Sequence, residues 1–307
     1  MTTKHRSTVE NAPVMEPQQA STPHASVPAV VGVLGGGRMG AGIAHAFLLA
    51  GARVTVVERD GQAAEAARER IERDLATSLE RGGVDGNLDE WAENLTVSLD
   101  HADFADCELV VEAVPEAWDL KVSALQEVER HLGDTAWLAT NTSSLSVDGL
   151  AEQLGRPERF CGLHFFNPVP ASKLVEVVNS KHTGAELRRL SVQWVEGLGK
   201  TPVVVNDAPG FASSRLGVAI ALEAIRMVEE GVASPADIDN AMVLGYRFPV
   251  GPLALTDIVG LDVRLGIAEY LESQLGERFA PPRLMRDMVA RGELGRKTGK
   301  GFFDHEQ

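Results

Sequence analysis

The residues best equipped for chemistry fall in three short strings of this 307-residue chain. They are Asn141-Thr142-Ser143-Ser144-Leu145, Gly162-Leu163-His164-Phe165-Phe166-Asn167-Pro168 and Lys173-Leu174-Val175-Glu176-Val177. In each, the polar group stands at or just beyond the end of an apolar run. A lone histidine flanked by phenylalanine is more often a core side chain. His164, however, is followed by Asn167 and then by the carboxylate of Glu176, a set that can orient an imidazole over a reacting carbonyl. A neutral imidazole can take a hydroxyl proton and an imidazolium can return it, while a carboxylate partner fixes the tautomer and favours the charged form. Cys107 and Cys161 have no partner at a metal-like spacing, so no metal is expected and both read as small core side chains.

A fourth string, Gly35-Gly36-Gly37-Arg38-Met39-Gly40, fits G-x-G-x-x-G, and its context gives the pattern weight. It follows the apolar run at 29–34 and leads into Met39, Ile43, Ala46, Phe47 and Ala50 at helical spacing. Gly35 would allow the tight turn, Gly37 the approach of a pyrophosphate to backbone N–H groups, and Gly40 close helix–strand packing. Arg38 and Met39 would then open the helix whose N-terminus receives the phosphates. Glu58 ends the second strand at the distance where such loops carry an acid. Its carboxylate would accept from the adenosine ribose hydroxyls and repel a 2′-phosphate, which selects NAD over NADP, although Arg59 stands beside it.

The elements that must position these groups are short apolar runs separated mostly by helical or loop segments: AVVGVL, RVTVVE, LTVSL, ELVVEAV, AWLATN and RFCGLHF, extended by KLVEVV and TPVVV. Alternating strand and helix implies an α/β fold, a Rossmann-type doubly wound sheet whose ligand crevice lies along the rim where the strands end. A charged, Ala-rich stretch at 60–82 reads as a long surface helix. After Asp207-Ala208-Pro209-Gly210 the pattern turns helical, with Ser234-Pro235-Ala236-Asp237 a capped helix start and Gly231 and Gly276 helix stops. The expected organisation is a disordered tail at 1–28, a dinucleotide-binding domain at 29–207 and an all-helical domain at 208–307. The tail is poor in large apolar residues, and its His5 and His24 carry no site. With 29 basic against 44 acidic side chains the net charge is −15, which argues against nucleic acid or an anionic membrane as partner. An anionic cofactor must therefore be held by local features. No apolar run reaches membrane-spanning length and no secretion signal is visible, so a reduced, cytoplasmic protein is expected.

The chain resembles the 3-hydroxyacyl-CoA dehydrogenase family, in particular its short-chain 3-hydroxybutyryl-CoA members, from about Val30 to Phe303. The resemblance rests on VGVLGGGRMGAGIA, LVVEAVPE, ATNTSSL, GLHFFNPVP, KLVEVV, PGF, LTDIVGLD and LGRKTGKGFFD. It implies an NAD-dependent enzyme acting on an acyl-CoA, with His164 as general acid–base and Glu176 as its orienting partner. It also implies that Ser143 and Asn167 hydrogen-bond the substrate oxygen or nearby cofactor groups. Glu116 and Lys121 match positions on the nicotinamide side of NAD, and Lys297 one that reaches the cofactor from the C-terminal segment. Ser214 stands where the family commonly has an asparagine near the substrate, and Arg81 near a CoA-contacting lysine, with Asp74 where a small polar residue is usual. The family also implies a homodimer built by the helical domain. A hydroxyacyl-carrier-protein or small hydroxy-acid substrate stays open on these residues, as does a non-catalytic, crystallin-like structural role.

Overall fold

Val-rich runs that are apolar along both edges of the pleat must be covered on both faces, and the chain does this with one large sheet. The computed structural model describes residues 27–82, 84 and 86–305. The tail expected at 1–28, with His5 and His24, falls outside these residues apart from Val27 and Pro28. The strands are β1 (Val30–Leu34), β2 (Arg53–Val57), β3 (Leu95–Ser98), β4 (Leu109–Glu112), β5 (Trp137–Thr140), β6 (Phe160–Phe165), β7 (Leu174–Asn179) and β8 (Thr201–Asn206). Every apolar run singled out in the sequence is one of them. They form one eight-stranded sheet in the order β3-β2-β1-β4-β5-β6-β7-β8. Neighbours among β1 to β6 are parallel, β7 returns antiparallel to β6, and β8 runs parallel to β7. The order reverses between β1 and β4, so the glycine loop after β1 opens at the switch point where such sheets bind ligands.

The helices are α1 (Arg38–Leu49), α2 (Gly61–Glu80), α3 (Leu88–Glu93), α4 (Trp118–His131), α5 (Val147–Ala151), α6 (Ala185–Gly197), α7 (Ser213–Glu229), α8 (Pro235–Tyr246), α9 (Pro252–Val259), α10 (Leu261–Leu275) and α11 (Arg283–Ala290). The period-two alternation of strand side chains divides the core. Val31, Val33, Leu163, Val175 and Val177 pack with Phe47, Ile71 and Trp194 of α1, α2 and α6. Val110, Phe160 and Val178 pack on the opposite face with Leu125 and Leu150 of α4 and α5. A third core, including Val218, Leu222, Ala268 and Leu271, joins the helices after α6. Ser234 caps α8 by accepting from Asp237 N–H at 3.2 Å. Gly231 and Gly276 take positive φ at the ends of α7 and α10, as their sequence positions predict.

The all-helical expectation needs one refinement. Beyond α11 the chain closes in short bridges, Gly295 with Lys300 and Lys300 with Asp304. Buried Asp257 of α9 accepts from Phe302 and Phe303 N–H, each at 2.9 Å, and pairs with the His305 ring at 2.8 Å. Among the described residues no helix is long and apolar enough to cross a membrane.

Candidate active site

The loop after β1 is shaped by contact as much as by conformation. Gly35 has φ +90° and donates its N–H to Val57 O at 2.9 Å. A Cβ on Gly40 would lie 1.7 Å from Gly35 O, so only glycine lets α1 pack this close. A Cβ on Gly37, by contrast, would point into open space. α1 begins with no side-chain cap, whereas Asp60 caps α2 by accepting from Ala63 N–H. Free N–H donors at an uncapped helix start, next to open space, suit a pyrophosphate. Glu58 reaches back to the loop, its Oε1 accepting from Gly36 N–H at 2.7 Å. The Arg59 side chain turns to Asp60 at 3.1 Å, while its backbone N–H donates to Glu58 Oε2 at 3.0 Å. These residues fit a bound dinucleotide. Arg38 and Met39 occupy the first turn of α1, Arg38 exposed and Met39 half-buried.

His164 of β6 and Glu176 of β7 face each other directly across the antiparallel ladder. Facing residues point to the same side of the sheet, and the two close a buried contact, His164 Nδ1 to Glu176 Oε2 at 2.8 Å. The carboxylate is held from the helical domain as well. Its Oε1 accepts from Ala212 N–H at 3.1 Å and Ser213 N–H at 2.8 Å, and its Oε2 accepts from the Ser213 hydroxyl at 2.7 Å. The start of α7 therefore aims its donors at this acid. Burial pushes the Glu176 carboxyl up, but the hydrogen bonds from His164 and Ser213 outweigh it and hold its pKa below the usual glutamate range. An ionised Glu176 accepts only, so the proton of the pair belongs on Nδ1, leaving Nε2 as the free nitrogen. Phe166 and Phe211 flank the imidazole with ring centroids 4.5 and 5.6 Å away.

A second carboxylate cluster lies at the ends of β4 and β5. Glu112 is wholly buried, taking Lys121 Nζ at 2.7 Å, Val114 N–H at 2.6 Å and the Thr140 hydroxyl at 2.6 Å. Lys121, 1% exposed, also reaches Val114 O at 3.1 Å and Glu116 at 3.3 Å. Its three protons are thus engaged within the protein. Glu116 Oε1 accepts from the Thr142 hydroxyl at 2.5 Å and from Ser143 N–H at 2.9 Å and Ser144 N–H at 3.0 Å. Burial raises the Glu116 carboxyl, but Lys121 and these donors outweigh it and keep its pKa below the ordinary value. The cluster fixes the backbone that presents Ser143, whose hydroxyl has no hydrogen-bond partner among the described residues.

Asn167 is exposed at the turn after β6, beside a cleft of about 270 Å³ that runs to the start of α1. Arg38, Arg70, Arg73 and Asp74 line it with Asn167 and Pro168. Arg70 is braced by donating to Gly36 O at 2.9 Å. The sequence singles out Arg81 on this helix, whereas the arginines of α2 that line the cleft are Arg70 and Arg73. Arg81 lies at the C-cap of α2 and is exposed. The i, i+3 spacing of Arg70 and Arg73 was the available signal. Glu112 and Ser213 were also missed; Glu112 sits inside an apolar run and Ser213 one residue before the Ser214 chosen. Ser214 is half-buried in the first turn of α7 with its hydroxyl unpartnered among the described residues. Lys297 is held by Asp262 of α10, with both carboxylate oxygens at 2.5 Å.

Residues 30–208 match the family description "3-hydroxyacyl-CoA dehydrogenase, NAD binding domain" and residues 210–305 match "3-hydroxyacyl-CoA dehydrogenase, C-terminal domain". A probable 3-hydroxybutyryl-CoA dehydrogenase of Deinococcus radiodurans is 40% identical over 275 residues, covering 89% of this chain and 99% of that protein. A 3-hydroxybutyryl-CoA dehydrogenase of Mycobacterium tuberculosis is 40% identical over 279 residues, covering 90% and 98%. The crystal structure of a (S)-3-hydroxybutyryl-CoA dehydrogenase from Ralstonia eutropha superposes with a TM-score of 0.87 at 35% identity, covering 91% of this chain and 100% of the other.

Proposed function

The chain belongs to the 3-hydroxyacyl-CoA dehydrogenase family, with NAD as cofactor, and on that premise we propose that it interconverts a short (3S)-3-hydroxyacyl-CoA, such as 3-hydroxybutyryl-CoA, and the 3-oxoacyl-CoA, with His164 as general acid–base. The observation that carries this reading is the buried 2.8 Å contact between His164 and Glu176. NAD, when bound, supplies the acceptor for the hydride that leaves C3. In that direction His164 Nε2 takes the hydroxyl proton, and ionised Glu176 stabilises the imidazolium that results. In the reverse direction the imidazolium polarises the carbonyl and returns the proton. Ser143 and Asn167 donate to the substrate oxygen or to neighbouring cofactor groups. Glu116 and Lys121 act by holding Ser143 in place, and Phe166 and Phe211 keep water from the imidazole.

The CoA phosphates, in this reading, lie in the cleft between α2 and Asn167. Arg38, Arg70 and Arg73 there supply the local positive charge that a chain of net charge −15 otherwise lacks. Ser214, in the first turn of α7, and Arg81, at the end of α2, contact the substrate, and Lys297 contacts the cofactor from the C-terminal segment. Two copies assemble through the helical domain, whose Leu216, Leu255, Ile258, Val259 and Val263 are exposed. The buried, unpaired thiols of Cys107 and Cys161 suit a reducing cytoplasm.

The test is NADH oxidation followed optically with acetoacetyl-CoA, beside an acetoacetyl-carrier-protein thioester and acetoacetyl-pantetheine. Turnover of the CoA thioester with a lower KM than the pantetheine thioester is expected. Turnover of the carrier-protein thioester alone would move the substrate class, and turnover of none would remove the catalytic reading.

A further inference from the structure

Lys200 stands between α6 and β8, far from Asn167 in sequence, yet its side chain ends at the turn that carries Asn167. Its Nζ donates to Val169 O at 2.7 Å and to Ser172 O at 2.6 Å. Lys121, the other lysine turned into the protein, meets the carboxylates of Glu112 and Glu116. Lys200 is half-buried and meets no carboxylate among the described residues, and burial lowers its pKa from the ordinary lysine value with no acid to offset it. A cation held away from water against neutral carbonyls is costly to keep. What it gains is control of the backbone that those carbonyls belong to.

That backbone is the turn between β6 and β7, and it is tied in three ways. Ala171 and Ser172 N–H both donate to Pro168 O, at 3.1 and 3.0 Å, which closes the turn on itself. Val169, 2% exposed, seats on α1 at Gly42, where a Cβ would come 2.7 Å from the Val169 Cβ. Lys200 supplies the third tie, one ammonium bridging two carbonyls. The backbone at this lysine is fixed in turn, because Lys200 N–H donates to Val195 O at 3.1 Å and Thr201 N–H to Lys173 O at 2.6 Å. Asn167 itself is exposed, so where its amide stands is set by the turn that follows it. We propose that Lys200 is a positioning residue for the reaction: by bridging Val169 O and Ser172 O it fixes the place of Asn167. This rests on the role read for Asn167 above, and it gives Lys200 no contact with substrate or cofactor.

The test is a double-mutant cycle on kcat/KM for NADH-dependent reduction of acetoacetyl-CoA by the full chain, with Lys200→Met, Asn167→Ala and the two together. Lys200→Met keeps the apolar stem and removes the ammonium. It should lower kcat/KM by roughly 10- to 100-fold, the range for losing a hydrogen bond to a charged group. In the Asn167→Ala background the same change should cost no more than about 3-fold, because a residue that acts through Asn167 then has nothing left to act on. Lys200→Arg keeps a cation with several N–H donors and should recover most of the loss seen with Lys200→Met. Urea unfolding reads any loss of fold separately, and Lys200→Gln, which keeps a neutral donor, takes the place of Lys200→Met in the cycle if that variant does not fold. Additive losses, or a Lys200→Arg variant as impaired as Lys200→Met, overturn the positioning role and leave the reading of Asn167 standing. Lys200→Met at wild-type kcat/KM overturns it too. Asn167→Ala at wild-type kcat/KM removes the reading of Asn167 and the role of Lys200 with it.

Discussion

Glu112 and Glu176 are two acids buried at the same rim of one sheet, and they do different work because of what faces them. Glu112 faces Lys121, whose ammonium is also held by Val114 O and Glu116, and its other partners, Val114 and Thr140, belong to its own domain. The result is a fixed ion pair that sets where Glu116 and Ser143 stand. Glu176 faces an imidazole, the side chain best able to change its protonation state near neutrality. Its remaining acceptor sites are filled by Ala212 and Ser213, which belong to the helical domain. Burial of a charge is thus shared by both sites. Only the Glu176 site pairs its acid with an imidazole, the partner that the proposed proton transfer needs, and only that site spans the two domains.

That contrast breaks first at His164. His164→Ala should lower kcat by roughly 10²–10⁴-fold, the range for general acid–base help, while fluorescence titration shows NADH still bound. It should change unfolding stability far less than turnover. Activity within a few-fold of wild type would take proton transfer away from this pair. Lys121→Met should behave the other way round. It leaves Glu112 buried with no cation, and breaking a buried pair in this manner costs about 3–5 kcal/mol. Denaturant unfolding should register that loss before kinetics does. A variant as stable as wild type would mean that the Glu112 cluster is not the fixed pair described here.

Much of this arrangement was legible before any coordinates. All eight strands follow from apolar runs, and the glycine loop follows from a motif whose flanks read as strand and helix. The direction of β7 did not follow. KLVEVV reads equally well in a parallel or an antiparallel neighbour, because apolar runs carry no sign of polarity along the chain. Yet it is the antiparallel return that sets His164 opposite Glu176. The carboxylate clusters were only half visible for a related reason. Glu112 ends a strand and Lys121 lies in the first turns of the next helix, and nothing in a linear string says that they fold back to 2.7 Å. Arg70 and Arg73 were hidden among the many charges of α2, where a solvated surface is the commoner meaning.

Smaller effects sharpen the comparison at the cofactor end. Glu58 is partly exposed and accepts from Gly36 N–H at 2.7 Å, so it both shapes the loop and presents charge. Glu58→Ala should weaken NAD use by roughly 10- to 100-fold, as expected for a lost charged hydrogen bond worth about 1.5–3 kcal/mol. NADP should suffer less, so the selectivity ratio falls. Unchanged selectivity in steady-state kinetics with both cofactors would assign the discrimination elsewhere.

The finest test concerns Ser213, which joins the domains through Glu176. Ser213→Ala removes the 2.7 Å hydroxyl bond but keeps the backbone donor. The expected loss is about 1.5 kcal/mol at neutral pH, the lower end for a hydrogen bond to a charged group. Its pH dependence separates two explanations. The native pKa of Glu176 is depressed below 4.5, so the stability it contributes is fully present above that value and is lost as pH falls through the lower native pKa. A hydroxyl that acts by stabilising the carboxylate must therefore lose its advantage over alanine in the same acid window. Unfolding curves of the two proteins should converge as pH drops below 4.5. A difference that stays constant through that window would make Ser213 a simple helix-start residue, and the coupling between α7 and the charge on Glu176 would then rest on the backbone alone.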